Sequence, residues 1–117
     1  MNKNKVTFIL HKPQLSENIG ACARAIKNFN FQKLYLIDPK PIFPNDKILA
    51  TSVGAKDIIK KSKVFNNLES SLEDIDILIA TSARFRNKNV KHINLDGLKR
   101  INFRKKIAFL FGSEASG

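Results

Sequence analysis

The chain has 117 residues, which is enough for one domain with a modest core and too few for two. Its 43% hydrophobic content excludes a disordered chain, and no apolar run approaches the ~20 residues that span a bilayer. Cys22 is the only cysteine, so the sequence excludes an internal disulfide and a cysteine-based metal cluster. His11 and His92 are far apart, without a second ligand at metal spacing, and we expect no metal ion.

The charge is strongly positive, with 21 Lys and Arg residues against ten Asp and Glu, a net +11. Such an excess attracts polyanions, with nucleic acid as the first candidate and an anionic membrane surface as the second. Sixteen of the 21 cations are Lys, so a Lys-rich proteome is an alternative explanation. Residues 1–5 are polar and basic, unlike the start of a signal peptide, and we expect a cytoplasmic protein.

Apolar runs alternate with helical patterns along the chain. In chain order, the sequence predicts a strand at 6–10, a helix from 16 or 17 to about 28, a strand at 34–37, a proline-rich loop at 38–45, short helices at 46–52 and 57–61, a brief strand at 64–65, a helix at 68–74, a strand at 75–81, a basic loop at 82–89, a helical turn at 95–100, a strand at 107–111 and a small-residue loop at 112–117. The predicted inward residues of the first helix are Ile19, Ala23, Ala25 and Ile26, and Asn30 fits a left-handed stop.

The strands are continuously apolar instead of alternating, which is typical of a parallel sheet buried on both faces. The fold class is therefore α/β, a mostly parallel sheet with helices on both faces. The almost wholly apolar run 107–111 is expected to be a central strand. Parallel sheets bind ligands beyond the carboxyl ends of their strands, where three polar or small-residue stretches lie.

The first of these stretches is Glu17-Asn18-Ile19-Gly20-Ala21-Cys22-Ala23-Arg24-Ala25. Its small residues leave a helix surface that another backbone or a substrate can approach. Asn18 and Arg24 are the polar groups left there, an amide and a guanidinium fork suited to phosphate. The alternative is a helix packed tightly on its sheet, with Arg24 simply solvated.

The other two stretches follow later strands. Thr81-Ser82-Ala83-Arg84-Phe85-Arg86 places two arginines around an aromatic ring, an arrangement common on RNA-binding surfaces, although a basic turn with a buried Phe85 fits equally. Phe111-Gly112-Ser113-Glu114-Ala115-Ser116-Gly117 lets a ligand approach backbone amides. This last stretch lacks the Lys-Ser/Thr of a P-loop and the spacing of a dinucleotide fingerprint.

Taken together, NIGACARAIKNF, ATSARFRN and IAFLFGSEASG resemble the SpoU/TrmH family of RNA 2′-O-methyltransferases. Residues 18–24 match the family's first motif, N-x-G-x-x-x-R, and residues 111–117 match most of its second, FG-x-E-x-x-G. The T-S-A-R-x-R element is most similar to the TrmJ branch, which modifies transfer RNA. Asn30 stands where these proteins often have Gly, a neutral change because Asn tolerates the same backbone conformation.

The resemblance implies a dimeric α/β fold of the SPOUT type with a C-terminal knot, and methyl transfer from S-adenosylmethionine to a tRNA ribose. It implies catalytic roles for Arg24, Asn18 and Glu114. It implies that Gly112, Ser113, Gly117 and Thr81 border the cofactor, and that Arg84, Arg86 and Arg24 contact RNA.

The family's third motif, an Ile-Pro strand end with a Ser-Leu-Asn loop, has no counterpart in residues 1–117. These residues are therefore expected to form the N-terminal part of a single SpoU-type methyltransferase domain, without the knot segment. A truncated product, half of a split protein and a fragment all fit. A catalytically inactive RNA-binding remnant is the alternative function, and a generic nucleotide-binding domain is a third.

Overall fold

A computed structural model describes residues 3–80, 91–93 and 105–112, with the backbone alone at 91–93. Its strands are β1 (Val6–His11), β2 (Lys33–Ile37), β3 (Lys63–Phe65), β4 (Ile77–Ala80), β5 (Lys91–Ile93) and β6 (Ile107–Phe111). Its helices are α1 (Ser16–Asn28), α2 (Asp46–Thr51), α3 (Lys56–Lys61) and α4 (Leu68–Ser71), after a 3-10 turn at Lys3–Lys5. None of the helices in these ranges is long and apolar enough to cross a membrane.

The strands form one sheet in the order β3-β2-β1-β6-β4-β5, and every strand pair in it is parallel. This confirms the predicted α/β class. The apolar strand β6 lies between β1 and β4, so its predicted central position is also confirmed. Exposure changes along β6: Ile107 and Leu110 are buried, whereas Phe111 at the end of the strand is 38% exposed.

Side chains alternate between two covered faces of the sheet. We call one the α1 face, where α1, α2 and α3 pack on the sheet, and the other the α4 face, where α4 and the turn after it pack. The α1-face core comprises Ile19, Ala23, Ile26, Leu34, Leu36, Ile48, Ala55, Ile58 and Ile59. The α4-face core comprises Ile9, Tyr35, Ile37, Leu72, Ile75, Leu78, Ala108 and Leu110. Helices therefore cover both faces, as predicted.

The first helix begins and ends where the sequence predicts. Asn30 has a φ of 64°, which confirms the predicted left-handed stop, and Phe31 N donates to Ile26 O at 2.9 Å. The predicted inward position of Ala25 is wrong, because Ala25 is exposed. Gly20 is buried in its place, since the side of α1 that faces α2 carries this glycine.

Three other elements differ from the sequence prediction. Helix α4 ends at Ser71, and residues 72–74 form a turn because Ile75 N donates to Leu72 O at 3.0 Å. Strand β4 begins at Ile77, two residues late, since the Asp76 carboxylate accepts from Lys106 N at 3.0 Å. Strand β5 is an additional element, paired with β4. The predicted elements at 82–89, 95–100 and 113–117 lie outside the described residues.

Candidate active site at the carboxyl edge of the sheet

The centre of the carboxyl edge is formed by the ends of β1 and β6. Leu10 pairs with Phe111, so His11 and Gly112, the next residue on each chain segment, lie side by side. Gly112 is exposed and has no side chain, so a ligand can reach its backbone. The sequence-predicted Gly112 is therefore placed at the position where parallel sheets bind ligands.

The loops that follow β1 and β2 are bonded to each other and to the sheet. Lys12 and Asp38 both adopt left-handed backbone, with φ of 53° and 45°. Lys12 N donates to Ile37 O at 2.7 Å, and Asp38 N donates to Phe65 O at 2.8 Å. Such positions are costly for a residue other than glycine, and they concentrate at functional sites. The left-handed turn at Lys12 therefore supports a functional edge here.

Helix α1 carries both polar residues of the first motif on exposed positions. Asn18 lies in the first turn, close to the carboxyl edge where α1 begins, and Arg24 lies in the third turn. Six residues of α-helix separate them by ~9 Å along the axis. Because α1 connects two parallel strands, it runs back toward the amino edge. The structure thus brings Asn18 toward the edge that holds Gly112 and puts Arg24 further back.

Side-chain bonds hold the start of α1 against α2. Asn45 Nδ2 donates to Ser16 Oγ at 3.0 Å, while Asn45 Oδ1 caps α2 by accepting from Ile48 N at 2.8 Å. A salt bridge joins Lys47 Nζ and Glu17 Oε2 at 2.8 Å. The lysine's hydrogen bond lowers the pKa of the Glu17 carboxyl below its ordinary value. These contacts fix the turn of α1 that carries Asn18.

The other end of α1 is held by α3. Lys27 Nζ lies 2.7 Å from Asp57 Oδ2, and this hydrogen bond lowers the pKa of the Asp57 carboxyl. Between the two ends, Gly20 packs against Thr51 so closely that a Cβ atom would lie 2.8 Å from Thr51 Cβ. The small-residue surface predicted from the sequence therefore exists, and part of it is already covered by α2.

Two titratable groups near these elements have shifted pKa values. Burial, followed by the charge of Lys12, lowers the pKa of His11, and Asp38 acts in the opposite direction. His11 is therefore neutral at pH 7 and able to donate or accept a hydrogen bond beside Gly112. Burial raises the pKa of the Cys22 thiol to about 11, so Cys22 is a core residue and not a nucleophile.

Sequence reasoning considered His11 only as a metal ligand and did not place it in the site. The available signal was its position as the last residue of an apolar strand in a parallel sheet. Among residues 3–80 and 105–112, no group of three or more His, Cys, Asp or Glu side chains is arranged to hold a metal ion. Six predicted site residues lie outside the described part of the chain and remain predictions: Thr81, Arg84, Arg86, Ser113, Glu114 and Gly117.

The described geometry defines an open parallel α/β domain with its candidate ligand site at the carboxyl ends of two central strands. A model of the SpoU rRNA Methylase family matches residues 5–117. The chain belongs to the SpoU rRNA methylase family, and the resemblance drawn from the motifs is confirmed.

Similar proteins of the TrmJ branch are found among both sequences and solved structures. The chain is 31% identical to the tRNA (cytidine-2′-O-)-methyltransferase TrmJ of Sulfolobus acidocaldarius over 118 aligned positions, covering 96% of this chain and 48% of that protein. It is also 31% identical to the TrmJ of Methanocaldococcus jannaschii, covering 96% of this chain and 50% of the relative. The crystal structure of TrmJ from Z. mobilis ZM4 superposes with a TM-score of 0.77 at 29% identity, covering 93% of this chain and 50% of that one. The chain thus spans about half the length of these relatives.

Proposed function

We propose that this domain belongs to an S-adenosylmethionine-dependent tRNA ribose 2′-O-methyltransferase acting on cytidine or uridine. The observation that carries the proposal is the fixed helix α1, which displays Asn18 and Arg24 on exposed positions and begins beside the edge that holds Gly112. The names of the TrmJ relatives, tRNA (cytidine-2′-O-)-methyltransferase, support the substrate and the reaction.

The residues at the carboxyl edge fit an adenosyl cofactor. Gly112 is exposed and bare of side chain, and the neighbouring Phe111 offers a partly exposed apolar ring. When bound, S-adenosylmethionine supplies the methyl group. Gly112 would hold the cofactor through its backbone, with Ser113, Gly117 and Thr81 as further proposed contacts. The protein must then position a weakly acidic ribose hydroxyl in line with that methyl group.

Arg24 is proposed to orient the substrate rather than to remove its proton. A guanidinium keeps its proton up to a pH above ~12, so it is a poor base and a good partner for phosphate and for a developing alkoxide. The substrate's own phosphate is the proposed proton acceptor. Asn18 would fix Arg24 or the ribose through its amide, and Glu114 would anchor the second-motif loop.

We also propose a homodimer located in the cytoplasm. Ala21 and Ala25 lie exposed on α1, one turn apart, and small side chains allow a second chain to approach closely. The RNA-contacting roles proposed for Arg84 and Arg86 rest on the motif that contains them.

The test is methyl transfer from labelled S-adenosylmethionine to tRNA by the full-length protein and its Arg24→Ala variant. We expect loss of turnover with only a modest loss of tRNA binding, because Arg24 acts on the reacting ribose. Lys56→Ala is the matched control, since it removes one positive charge from the exposed start of α3 and leaves the motif and the contacts of α1 intact. Unchanged turnover in Arg24→Ala would contradict the proposal.

A second candidate function is RNA binding without catalysis, which the net charge of +11 favours. It predicts salt-sensitive tRNA binding and no affinity for S-adenosylmethionine. Calorimetry with S-adenosylmethionine separates the two, because micromolar affinity is expected only of the enzyme.

A further inference from the structure

Four adjacent strands of the sheet carry a lysine where they begin. Lys63 and Lys33 are the first residues of β3 and β2, while Lys5 and Lys106 immediately precede β1 and β6. We call these four residues the amino-edge lysines. Strands in a sheet lie ~4.8 Å apart, so Lys33, Lys5 and Lys106 cross two strand spacings, ~10 Å, at the edge opposite the candidate active site. Lys63 begins the shorter strand β3 and lies further along the sheet, because it pairs with Tyr35 and through it is level with Ile9.

Strand pairing and a shared cavity put the four amino-edge lysines on the α4 face. Two of them pair in register with residues of that face, Lys33 with Thr7 and Lys63 with Tyr35. The other two, Lys5 and Lys106, line the same cavity as Tyr35 and Ile75 of that face. Lys63 Nζ lies 5.9 Å from the centre of the Tyr35 ring, which agrees with this placement. The positive charges are therefore concentrated on one side of the edge.

A cavity of about 50 Å³ lies among three of these lysines. Its walls include Lys5, Lys33 and Lys106, and Asp74 is its acidic member. A cavity volume measured in this way needs ~10–15 Å³ to hold one water molecule, so there is room for the exposed oxygens of one phosphate group. Like charges on neighbouring strands destabilise a sheet, and a bound polyanion would offset that cost.

We propose that the amino-edge lysines bind phosphates of the tRNA backbone away from the nucleotide that is modified. This inference rests on the proposed function, because it takes tRNA as the polyanion. Lysines recognise phosphate as point charges without reading sequence, so the row can contact successive phosphates of one strand. The edge is a docking surface for the body of the substrate.

The amino-edge lysines lie far from the proposed site of methyl transfer at the carboxyl edge of the sheet. Strand β1 has six residues, and five steps of ~3.3 Å place its two ends ~17 Å apart. A tRNA that places one ribose at the carboxyl edge therefore meets the amino-edge lysines with a different part of its backbone. Their loss should weaken substrate binding and leave the rate at saturating tRNA unchanged.

The experiment compares tRNA binding by the full-length protein and its Lys33→Gln/Lys106→Gln variant over a range of salt concentrations. We expect roughly tenfold weaker binding at 0.1 M salt and a log K against log salt slope smaller by ~1.4–1.8, at ~0.7–0.9 per lost phosphate contact. Asp74→Asn should act in the opposite direction and tighten binding roughly threefold, because it removes the acidic group of the cavity.

The control is Lys56→Gln/Lys60→Gln, which removes the same charge from exposed positions of α3 on the opposite face. Binding by Lys33→Gln/Lys106→Gln that equals wild type, or that falls no further than in this control, overturns the inference. A fall in the rate at saturating tRNA also overturns it, since the lysines would then act in the chemistry. If the wild type binds tRNA but transfers no methyl group, the proposed function fails while the comparison of binding still decides the role of the lysines.

Discussion

Gly20 on α1 and Thr51 on α2 are in such close contact that no larger residue fits at position 20. A Cβ atom on Gly20 would lie 2.8 Å from Thr51 Cβ and 2.9 Å from its carbonyl carbon, and it would overlap Thr51 Oγ1. Thr51 Oγ1 in turn donates to Lys47 O at 2.8 Å, which holds the side chain in place. The glycine of the first motif therefore sets the distance between the two helices and, with it, the placement of Asn18.

Replacing Gly20 with alanine should destabilise the domain. Alanine in a helix is normally more stable than glycine by up to ~1 kcal/mol, but overpacking costs roughly 1–3 kcal/mol and outweighs it. Thermal unfolding should show a lower Tm for Gly20→Ala, and Thr51→Ala in the same chain should restore part of it. Ala21→Ser, on the exposed side of α1, is the control and should change the Tm little. An unchanged Tm in Gly20→Ala would show that α1 and α2 can separate freely.

Asn45 should contribute more to stability than Asn67, although both cap a short helix through Oδ1. Replacing either with alanine removes a cap, which costs about 1 kcal/mol. Asn45→Ala also removes the bonds from Nδ2 to Ser16 Oγ and Ile42 O, both 3.0 Å, at about 0.5–1.5 kcal/mol each. Denaturant unfolding should therefore show a loss of unfolding free energy for Asn45→Ala that exceeds that of Asn67→Ala by about 1–3 kcal/mol. Equal losses would mean that the bonds to Ser16 and Ile42 contribute nothing.

The ion pairs at the two ends of α1 should make a small, pH-dependent contribution to stability. Hydrogen bonds from Lys47 and Lys27 lower the pKa values of Glu17 and Asp57 in the folded state. A carboxyl with a lowered folded pKa stabilises the fold above its unfolded pKa and loses that effect as the pH falls through the folded value.

The Tm advantage of wild type over Glu17→Gln/Asp57→Asn should therefore be present at pH 7, begin to fall near the ordinary value of 4.5 for Glu17, and vanish at lower pH. It should also shrink in high salt, because both pairs are exposed. Glu69→Gln/Glu73→Gln, which also removes two exposed carboxylates, is the control. An advantage that grew on acidification would contradict the assigned sign.

The Cys22 thiol should react slowly in the native protein. Burial raises its pKa from 9.0 to about 11, which reduces the thiolate roughly 100-fold at a given pH. Reaction with a thiol-specific disulfide reagent at pH 8 should therefore be roughly 100-fold slower before unfolding than after it. A native rate close to that of a free thiol would mean that the packing of α1 on the sheet opens readily.

The sequence predicted the elements with strong apolar patterns most closely. Strand β6 and helix α1 match their predicted bounds. A continuous apolar run in β6 and the helical spacing of Ile19, Ala23 and Ile26 in α1 both reflect burial directly, so the sequence pattern was sufficient to predict them. Strand β5, Lys91–Ile93, was missed because three residues that include a lysine carry no such pattern. Its presence is decided by pairing with β4, which is a property of the assembled sheet.

The candidate site was predictable in part. Asn18, Arg24 and Gly112 were identified from motif spacing, and the structure gives exposed positions to all three. Ala25 was assigned to the wrong side of α1 because small residues have too little apolar surface to reveal their orientation. The inward position of Gly20 is set by its contact with Thr51, a residue 31 positions further along the chain.

The position of β6 has a consequence for how the protein is made. In the described sheet, β3-β2-β1 and β4-β5 are hydrogen-bonded to each other only through β6, which follows all of them in the chain. During synthesis the other five strands leave the ribosome first. Until β6 emerges, β1 and β4 each lack the neighbouring strand with which they pair in the finished sheet. Long-range pairing of this kind is slow and leaves strand edges open to association. The nascent chain is therefore most vulnerable to aggregation in the interval before residues 107–111 emerge, and a chaperone that acts on this protein would be needed at that stage.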